Sequence, residues 1–472
     1  MRTIQIEVAL RLVLRGGRVF FRTMALVASG AVACGPAKPA MVYVPPSITL
    51  DPNGSVRKSA TVTSTSHTFW EAMSSLDTGY VSREPATDEQ RAFARALGLI
   101  MRGQHDDAAL TMDSIGAVTG DTMIRAASRV LLTAMLQYQH KWKLLAELSS
   151  RTKADTSTDL DRDKAGVESW ASAFRSVPAR VIAFPSGPEE VPLLLSPTGA
   201  PMIPVVINGR ERYFWLDTGS SLSILASNVA DELGIKPLLR DTLEVVTTTG
   251  RVAAQPAAIG RLQIGRIRIS NATAMIVSSD LLRVSVGDGG GPAVTVQIEG
   301  VIGFDIISQM DLRIDYVNRR VTLIAPVRNA RLPRTGRNLF WVGIPIVRLV
   351  TSKGVPLHFN LDTGAQETYS TQGLITKTRA KTFSAERRLV GGIAGIRVVH
   401  GTFIDQVRVT MGGQPVLLRK LLVFAPAFSS FVTMDGILGS DIGRGGLVRI
   451  DATNGLFLLV PTRPDRGLRI EG

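Results

Sequence analysis

Apolar and polar positions change their period twice along the 472-residue chain, and those changes divide it. From about residue 87 to 150 the chain is rich in Ala, Leu, Met and Gln and poor in β-branched residues, which favours helix. Thr87, Asp88, Glu89 and Gln90 form a capping-box sequence at its start. Residues 103–108 read as a turn between two helices, and a second helical pair fits 122–137 and 140–148. A further amphipathic helix fits 162–176, with Val167, Trp170, Ala171 and Phe174 on one face and Val177-Pro178 closing it. Beyond about residue 181 the period shortens to two. Short alternating runs of Val, Ile and Thr are separated by turn pairs such as Asn208-Gly209 and Asn454-Gly455, so this half is all-β. Ahead of the helices, residues 35–68 are rich in Pro, Ser and Thr without any period and read as an extended tether. The expected organisation is a leader over 1–33, a flexible tether over 34–84, a helical module over 85–180, and two β units over 190–330 and 331–465.

The two β units are copies of one pattern. Leu216-Asp217-Thr218-Gly219-Ser220 in the first matches Leu361-Asp362-Thr363-Gly364-Ala365 in the second. A tripeptide alone is weak evidence, because Asp77-Thr78-Gly79 also occurs, without a preceding apolar strand or a downstream partner; that copy reads as a turn. What distinguishes the other two is matched spacing. Ile203-Pro204-Val205-Val206 precedes Asp217, and Ile344-Pro345-Ile346-Val347 precedes Asp362. Gly250 follows Asp217 by 33 residues, and Gly395 follows Asp362 by the same 33. Farther on stand Gly300-Val301-Ile302-Gly303 and Gly436-Ile437-Leu438-Gly439, with Asp315 and Asp451 each twelve residues beyond the last glycine. The Asp-to-glycine gap is 86 residues in the first copy and 77 in the second, and the glycine-rich stretch 287–292 accounts for the excess as a loop insertion. So many shared registers establish an internal duplication.

Each copy resembles one lobe of the pepsin and retropepsin clan of aspartic proteases, over roughly 191–326 and 332–461. The resemblance implies a mainly β fold of two pseudo-twofold-related acid-protease lobes of the closed-barrel type, preceded here by the small α-helical module. It implies that Asp217 and Asp362 are the catalytic pair of an endopeptidase, acting through an activated water. Thr218 and Thr363 would hydrogen-bond the opposite loop. Gly219 and Gly364 would let the backbone turn tightly, and Gly303 and Gly439 would let a second strand pass beneath it. A hydroxyl after Asp-Thr-Gly supports the neighbouring carboxylate in the family. Ser220 against Ala365 therefore predicts unequal halves, with Asp217 the more easily ionised. Two carboxylates held together cannot both be charged, so the pair would share one proton.

Residues 247–250 and 391–395, with Gly250 and Gly395, are candidate flaps closing over substrate; the alternative is a pair of plain surface hairpins. Neither carries the tyrosine typical of pepsin flaps, and the lobes are close to retropepsin size. Asp305, Asp441, Asp315 and Asp451 are expected to bind backbone donors at turns. The helical region has a weak resemblance to tetratricopeptide repeats, with Ala92, Leu99, Ala108 and Met112 at the packing positions. A small helical module packed on its neighbour is the other reading, since fewer than three repeats do not stack into a stable solenoid.

Composition narrows the choices. The five histidines are scattered, with no metal-ligand spacing, and no phosphate loop or serine elbow occurs; neither metal nor cofactor is expected. The formal charge of +14 is spread thinly, without basic patches interleaved with aromatics, which argues against nucleic acid as partner. The expected partner is a peptide or protein substrate, taken by a site built within one chain, and the helical module is a candidate surface for a further protein partner. The only cysteine, Cys34, follows five arginines and a short apolar run over 24–33 that is too brief to span a bilayer. Ala31-Val32-Ala33-Cys34-Gly35 resembles a bacterial lipoprotein box, so Cys34 is a candidate lipidation site and the chain is expected on the periplasmic face of a membrane, the outer one by virtue of Gly35. An ordinary cleaved signal is the alternative. A second functional reading also follows: a catalytically inactive peptide-binding protein displayed from that membrane.

Overall fold

The computed structural model describes residues 48–50, 68–151, 159–286, 294–328, 336–393, 395–443 and 446–461. Cys34, the leader and the 287–292 insertion lie outside the described residues. Six helices come first: α1 (Phe69–Ser74), α2 (Asp88–Met101), α3 (His105–Val118), α4 (Thr122–Tyr138), α5 (Trp142–Arg151) and α6 (Asp159–Phe174). The Thr87/Gln90 capping box opens α2 as the sequence predicts, and Asp121 caps α4 by accepting from the Met123 and Ile124 amides. Helix α2 buries one stripe, Phe93, Ala94, Leu97 and Ile100, whereas α4 is buried all round from Val130 to Gln137.

The tether expectation fails at both of its described parts. Ile48–Leu50 is a strand, paired antiparallel with 416–418. Thr68 and Glu71 form a second capping box that starts α1, and Phe69, Ala72 and Met73 are buried beneath it. Phe69 makes edge contacts with Trp70, Tyr80 and Phe93, so this stretch belongs to the core of the helical module. Asp77 does lie in a turn, where its carboxylate accepts from Arg83 at 2.5 Å.

The β half is two related lobes. In the first, Pro201–Ile207 pairs with Arg210–Leu216 through a turn in which Asn208 and Gly209 both have positive φ, the hairpin chemistry expected of that pair. Six strands then close a barrel: Pro201–Ile207, Arg210–Leu216, Gly300–Ile302, Ser223–Ala226, Ile267–Val277 and Arg251–Ile264, the last returning to the first. The second lobe repeats the order with Pro345–Thr351, Pro356–Leu361, Gly436–Leu438, Tyr369–Ser370, Gln414–Leu422 and Gly395–Met411. Its seam is weaker. Where the first lobe has a four-pair parallel ladder, the second has the single bridge Ser370–Val423, leaving a half-barrel.

A five-stranded sheet joins the lobes, and its central pair is Asp311–Asp315 with Gly446–Asp451. Arg313 faces Arg449, and residues at equal distances on either side pair symmetrically, so the pseudo-twofold axis passes between these two. Asp315 and Asp451 accept backbone and side-chain N–H groups of Asn318 and Asn454, closing matched turns.

The helical module packs across both lobes. Trp341 of the second stacks on Phe304 of the first, with centroids 5.3 Å apart and planes 7° from parallel, and donates its indole N–H to Ala134 O of α4 at 2.9 Å. Phe93 of α2 meets Phe431. A small cavity lined by Ile100, Tyr138, Phe304, Arg337 and Trp341 lies in this junction, away from the paired aspartates.

Two glycines without an assigned role in the sequence prove to be seats for rings. A Cβ on Gly300 would overlap the Phe214 ring, and one on Gly436 would overlap Phe359 and the Tyr369 carbonyl. Gly436→Ala is therefore expected to destabilise the second lobe by about 1–3 kcal/mol, read as a lowered urea midpoint; an unchanged midpoint would refute the ring-seat role.

Candidate active site

Asp217 and Asp362 each stand one residue past a strand that ends at the lobe junction, after Leu216 and Leu361. The Asp217 amide donates to Ile302 O at 3.0 Å and the Asp362 amide to Leu438 O at 2.9 Å, so each loop is pinned to the strand leading to Gly303 or Gly439. Next come the threonines, both fully buried. Thr218 Oγ1 donates to Leu361 O at 2.8 Å, and Thr363 Oγ1 donates to Leu216 O at 2.6 Å. Each hydroxyl also accepts the other threonine's amide, at 3.0 and 3.1 Å. Four hydrogen bonds across the symmetry axis thus tie one loop to the other, with no donor left over.

The glycines bring the carboxyls together. A Cβ on Gly219 would stand 2.5 Å from Asp362 Cγ, and one on Gly364 would stand 2.5 Å from Asp217 Cγ. Only a residue without a side chain lets each loop back onto the opposite aspartate. Gly219 N–H donates to Asp217 Oδ1 at 2.8 Å; Gly364 and Ala365 N–H donate to Asp362 Oδ1 at 3.1 and 3.0 Å. The two carboxyls are thereby close enough for each to influence the other's protonation. Asp362 is buried and Asp217 keeps somewhat more exposure.

Burial pushes both acids above the ordinary carboxyl value. Asp362 is driven well above it, first by burial and then by the Asp217 charge beside it, whereas the hydrogen bond from Asp362 works the other way on Asp217. The pair therefore shares one proton, whose titration belongs to both carboxyls together. The support that the sequence assigns to the Ser220 hydroxyl is not made. The Ser220 hydroxyl donates to Leu222 O at 2.6 Å rather than to a carboxylate, and it is the Ser220 backbone that favours ionised Asp217.

Beneath the loops the repeat continues. Gly303 N–H donates to Ser223 Oγ, which donates to Asp305; Gly439 N–H donates to Thr368 Oγ1, which donates to Asp441. A Cβ on either glycine would meet backbone of the overlying loop, Leu222 or Glu367, at 2.5–2.6 Å. Asp305 and Asp441 thus orient hydroxyls, a role beyond the turn donors expected of them. Asp305 is also paired with buried Arg180 at 3.0 Å, and no motif in the sequence announces that partner.

The two glycine-tipped segments are hairpins. Leu243–Val246 pairs with Arg251–Ile264 around a tip at 247–250, in which Thr247 N–H donates to Gly250 O. Thr382–Gly392 pairs with Gly395–Met411, with Gly392 opposite Gly395. The tips meet: a Cβ on Gly392 would lie 2.6 Å from Thr249 Oγ1. Among the described residues no group of three or more His, Cys, Asp and Glu is arranged to hold a metal ion.

A family model described as aspartyl protease matches residues 203–306, which span the first lobe from its leading strand through Asp217 to Gly303 and just beyond. Among solved structures, a retropepsin-like aspartic protease from Rickettsia conorii is 19% identical, with 31% of this chain and 92% of that one covered and a TM-score of 0.20. No curated protein matches the chain.

Two outcomes test the site. Thr363→Val strips a hydroxyl from a buried reciprocal pair and should cost about 1–3 kcal/mol, whereas Thr363→Ser should retain most of the stability; equal melting of the two would refute the lock. The raised carboxyls also set a pH dependence. A folded-state pKa above the unfolded 3.8 means the folded state binds more protons, so stability falls as pH climbs from about 4 through the folded value. Asp362→Asn should thus raise the thermal midpoint at pH 7 and leave it nearly unchanged at pH 3.

Proposed function

We propose that this protein is an aspartic endopeptidase in which Asp217 and Asp362 act on one bound water. The observation that carries the reading is the pair of carboxyls, one from each lobe, each lying against the other loop's glycine and held by reciprocal threonine bonds. Ionised Asp217 takes a proton from water as its oxygen attacks the scissile carbonyl carbon, and Asp362 gives its proton to the carbonyl oxygen. The resulting diol collapses. The C–N bond breaks as Asp217 passes its proton to the amine, and a diol hydroxyl returns a proton to Asp362. The pair holds one proton before and after each turnover, while two protons pass through it. The hairpins at 247–250 and 392–395 serve as flaps that exclude bulk water from the reacting centre.

Activity should follow a bell. It is lost on the acid side as Asp217 protonates and on the alkaline side as Asp362 gives up its proton. Burial and the neighbouring charge place that alkaline limb well above the ordinary carboxyl range. The test is hydrolysis of dye-quenched unfolded casein from pH 3 to 7. Asp217→Asn and Asp362→Asn should each lower the rate by about a thousandfold or more; variants that cleave like the wild type would sink the enzyme reading. Export and lipidation of Cys34 rest on the sequence, and mass spectrometry of the mature N-terminus, expected to begin at a diacylated Cys34, checks both.

A further inference from the structure

The first flap hairpin is held at two places, once by the helical module and once by a second-lobe segment that the module packs against. At its base, Trp170 of α6 donates its indole N–H to Glu244 O, in the middle of Leu243–Val246, at 3.2 Å. Trp170 is 6% exposed and packs on Phe174, which packs in turn on Trp142 of α5. Arg129 of α4 and Glu168 of α6 form a buried ion pair at 3.2 Å, and α4 is bound to the second lobe through the Trp341 indole. A continuous path of buried contacts therefore runs from the second lobe through α4 and α6 to a hairpin of the first. At its tip, the hairpin gives Thr248 O to the amide of Ala427 at 3.1 Å. Ala427 belongs to the segment between Val423 and Asp435, which α1 and α2 grip: Thr433 N–H donates to Ser74 O at 2.9 Å, and Phe431 rests on Phe93.

We infer that the helical module is a retained part of the working enzyme, a clamp on one flap, and that Trp170 is its positioning residue. The inference rests on reading 243–250 as a flap. A flap must exchange between open and closed positions, and its local opening free energy depends on the few contacts that hold it. Here those contacts come from outside the lobe that carries it. A removable prosegment is a poor description of a module whose loss would uncover Phe304, Trp341 and Phe431 and release the hairpin at its base. The second hairpin is longer, with 11 residues in Thr382–Gly392 against four in Leu243–Val246, and is the better suited of the two to move.

The test uses the full chain and compares wild type with Trp170→Phe and Trp170→Ala. Trp170→Phe keeps an aromatic ring on Phe174 and removes only the donor, so it should fold even if Trp170→Ala does not. Hydrogen exchange over 243–251, followed by mass spectrometry, should quicken about fivefold in Trp170→Phe, as expected for loss of one partly buried hydrogen bond, while 201–216 is unchanged. With dye-quenched casein, KM should rise by a similar factor and kcat should change little, because the carboxyl pair is untouched. Unchanged exchange over 243–251 in every folded variant would overturn the clamp, as would a KM equal to that of the wild type in Trp170→Phe. The exchange measurement does not require catalysis. A chain whose hairpin loosens but which cleaves nothing, even as wild type, keeps the clamp and refutes the protease reading instead.

Discussion

Two carboxyl groups pressed together in a buried junction are the constraint from which the rest of this structure follows. Like charges at that separation repel strongly where water is scarce, so one group must stay protonated. Holding them there takes structure at every level. The threonine hydroxyls bridge the loops, the glycines remove the atoms that would keep them apart, and the strands ending at Ile302 and Leu438 carry the loops from below. Phe214 and Phe359, fully buried, fill the space beside those strands and are the reason Gly300 and Gly436 have no side chain.

Duplication supplies this frame twice, and the copies have diverged where the fold tolerates it. The first lobe closes its barrel through a four-pair parallel ladder, whereas the second relies on one bridge at Ser370. The open seam leaves Phe403, Leu422 and Phe424 as a small cluster apart from the main core, with Tyr369 packed on it. The loop that follows this seam is the one gripped by α1 and α2, so the helical module adds support where the second lobe has fewer of its own backbone pairs. Divergence also reaches the supports under the glycines. Ser223 in one copy is Thr368 in the other, and both present a hydroxyl to the same backbone amide.

What could be read from the sequence was whatever a local steric rule imposes. Asp-Thr-Gly, the glycines at matched offsets and the Asn208-Gly209 turn each answer to backbone geometry that few residues satisfy, so they recur visibly in both copies. The helices from 87 onward announced themselves through period and capping. Contacts between distant segments left no comparable trace. Nothing near Arg180 predicts that it pairs with Asp305, and nothing near Trp170 predicts a bond to Glu244 O. Thr68 and Glu71 offered a capping box within the stretch read as tether, but six helical residues are too few for a periodic signal. Ser220 misled for a related reason: a hydroxyl beside a carboxylate suggests a bond between them, yet its own loop places Leu222 O nearer to hand.

The joints between the lobes bear on the chemistry as well as on stability. Three independent contacts set their relative position: the threonine lock, the central sheet pairing Arg313 with Arg449, and the Phe304–Trp341 stack capped by α4. If the lobes could swing apart, the repulsion between two ionised aspartates would be relieved by motion, and each would titrate as an ordinary surface acid. Because three joints must yield before the carboxyls separate, the repulsion is relieved by proton binding instead. A raised Asp362 is thus a property of the whole two-lobed frame as much as of its immediate neighbours. The same rigidity keeps one proton on the pair and one carboxylate charged.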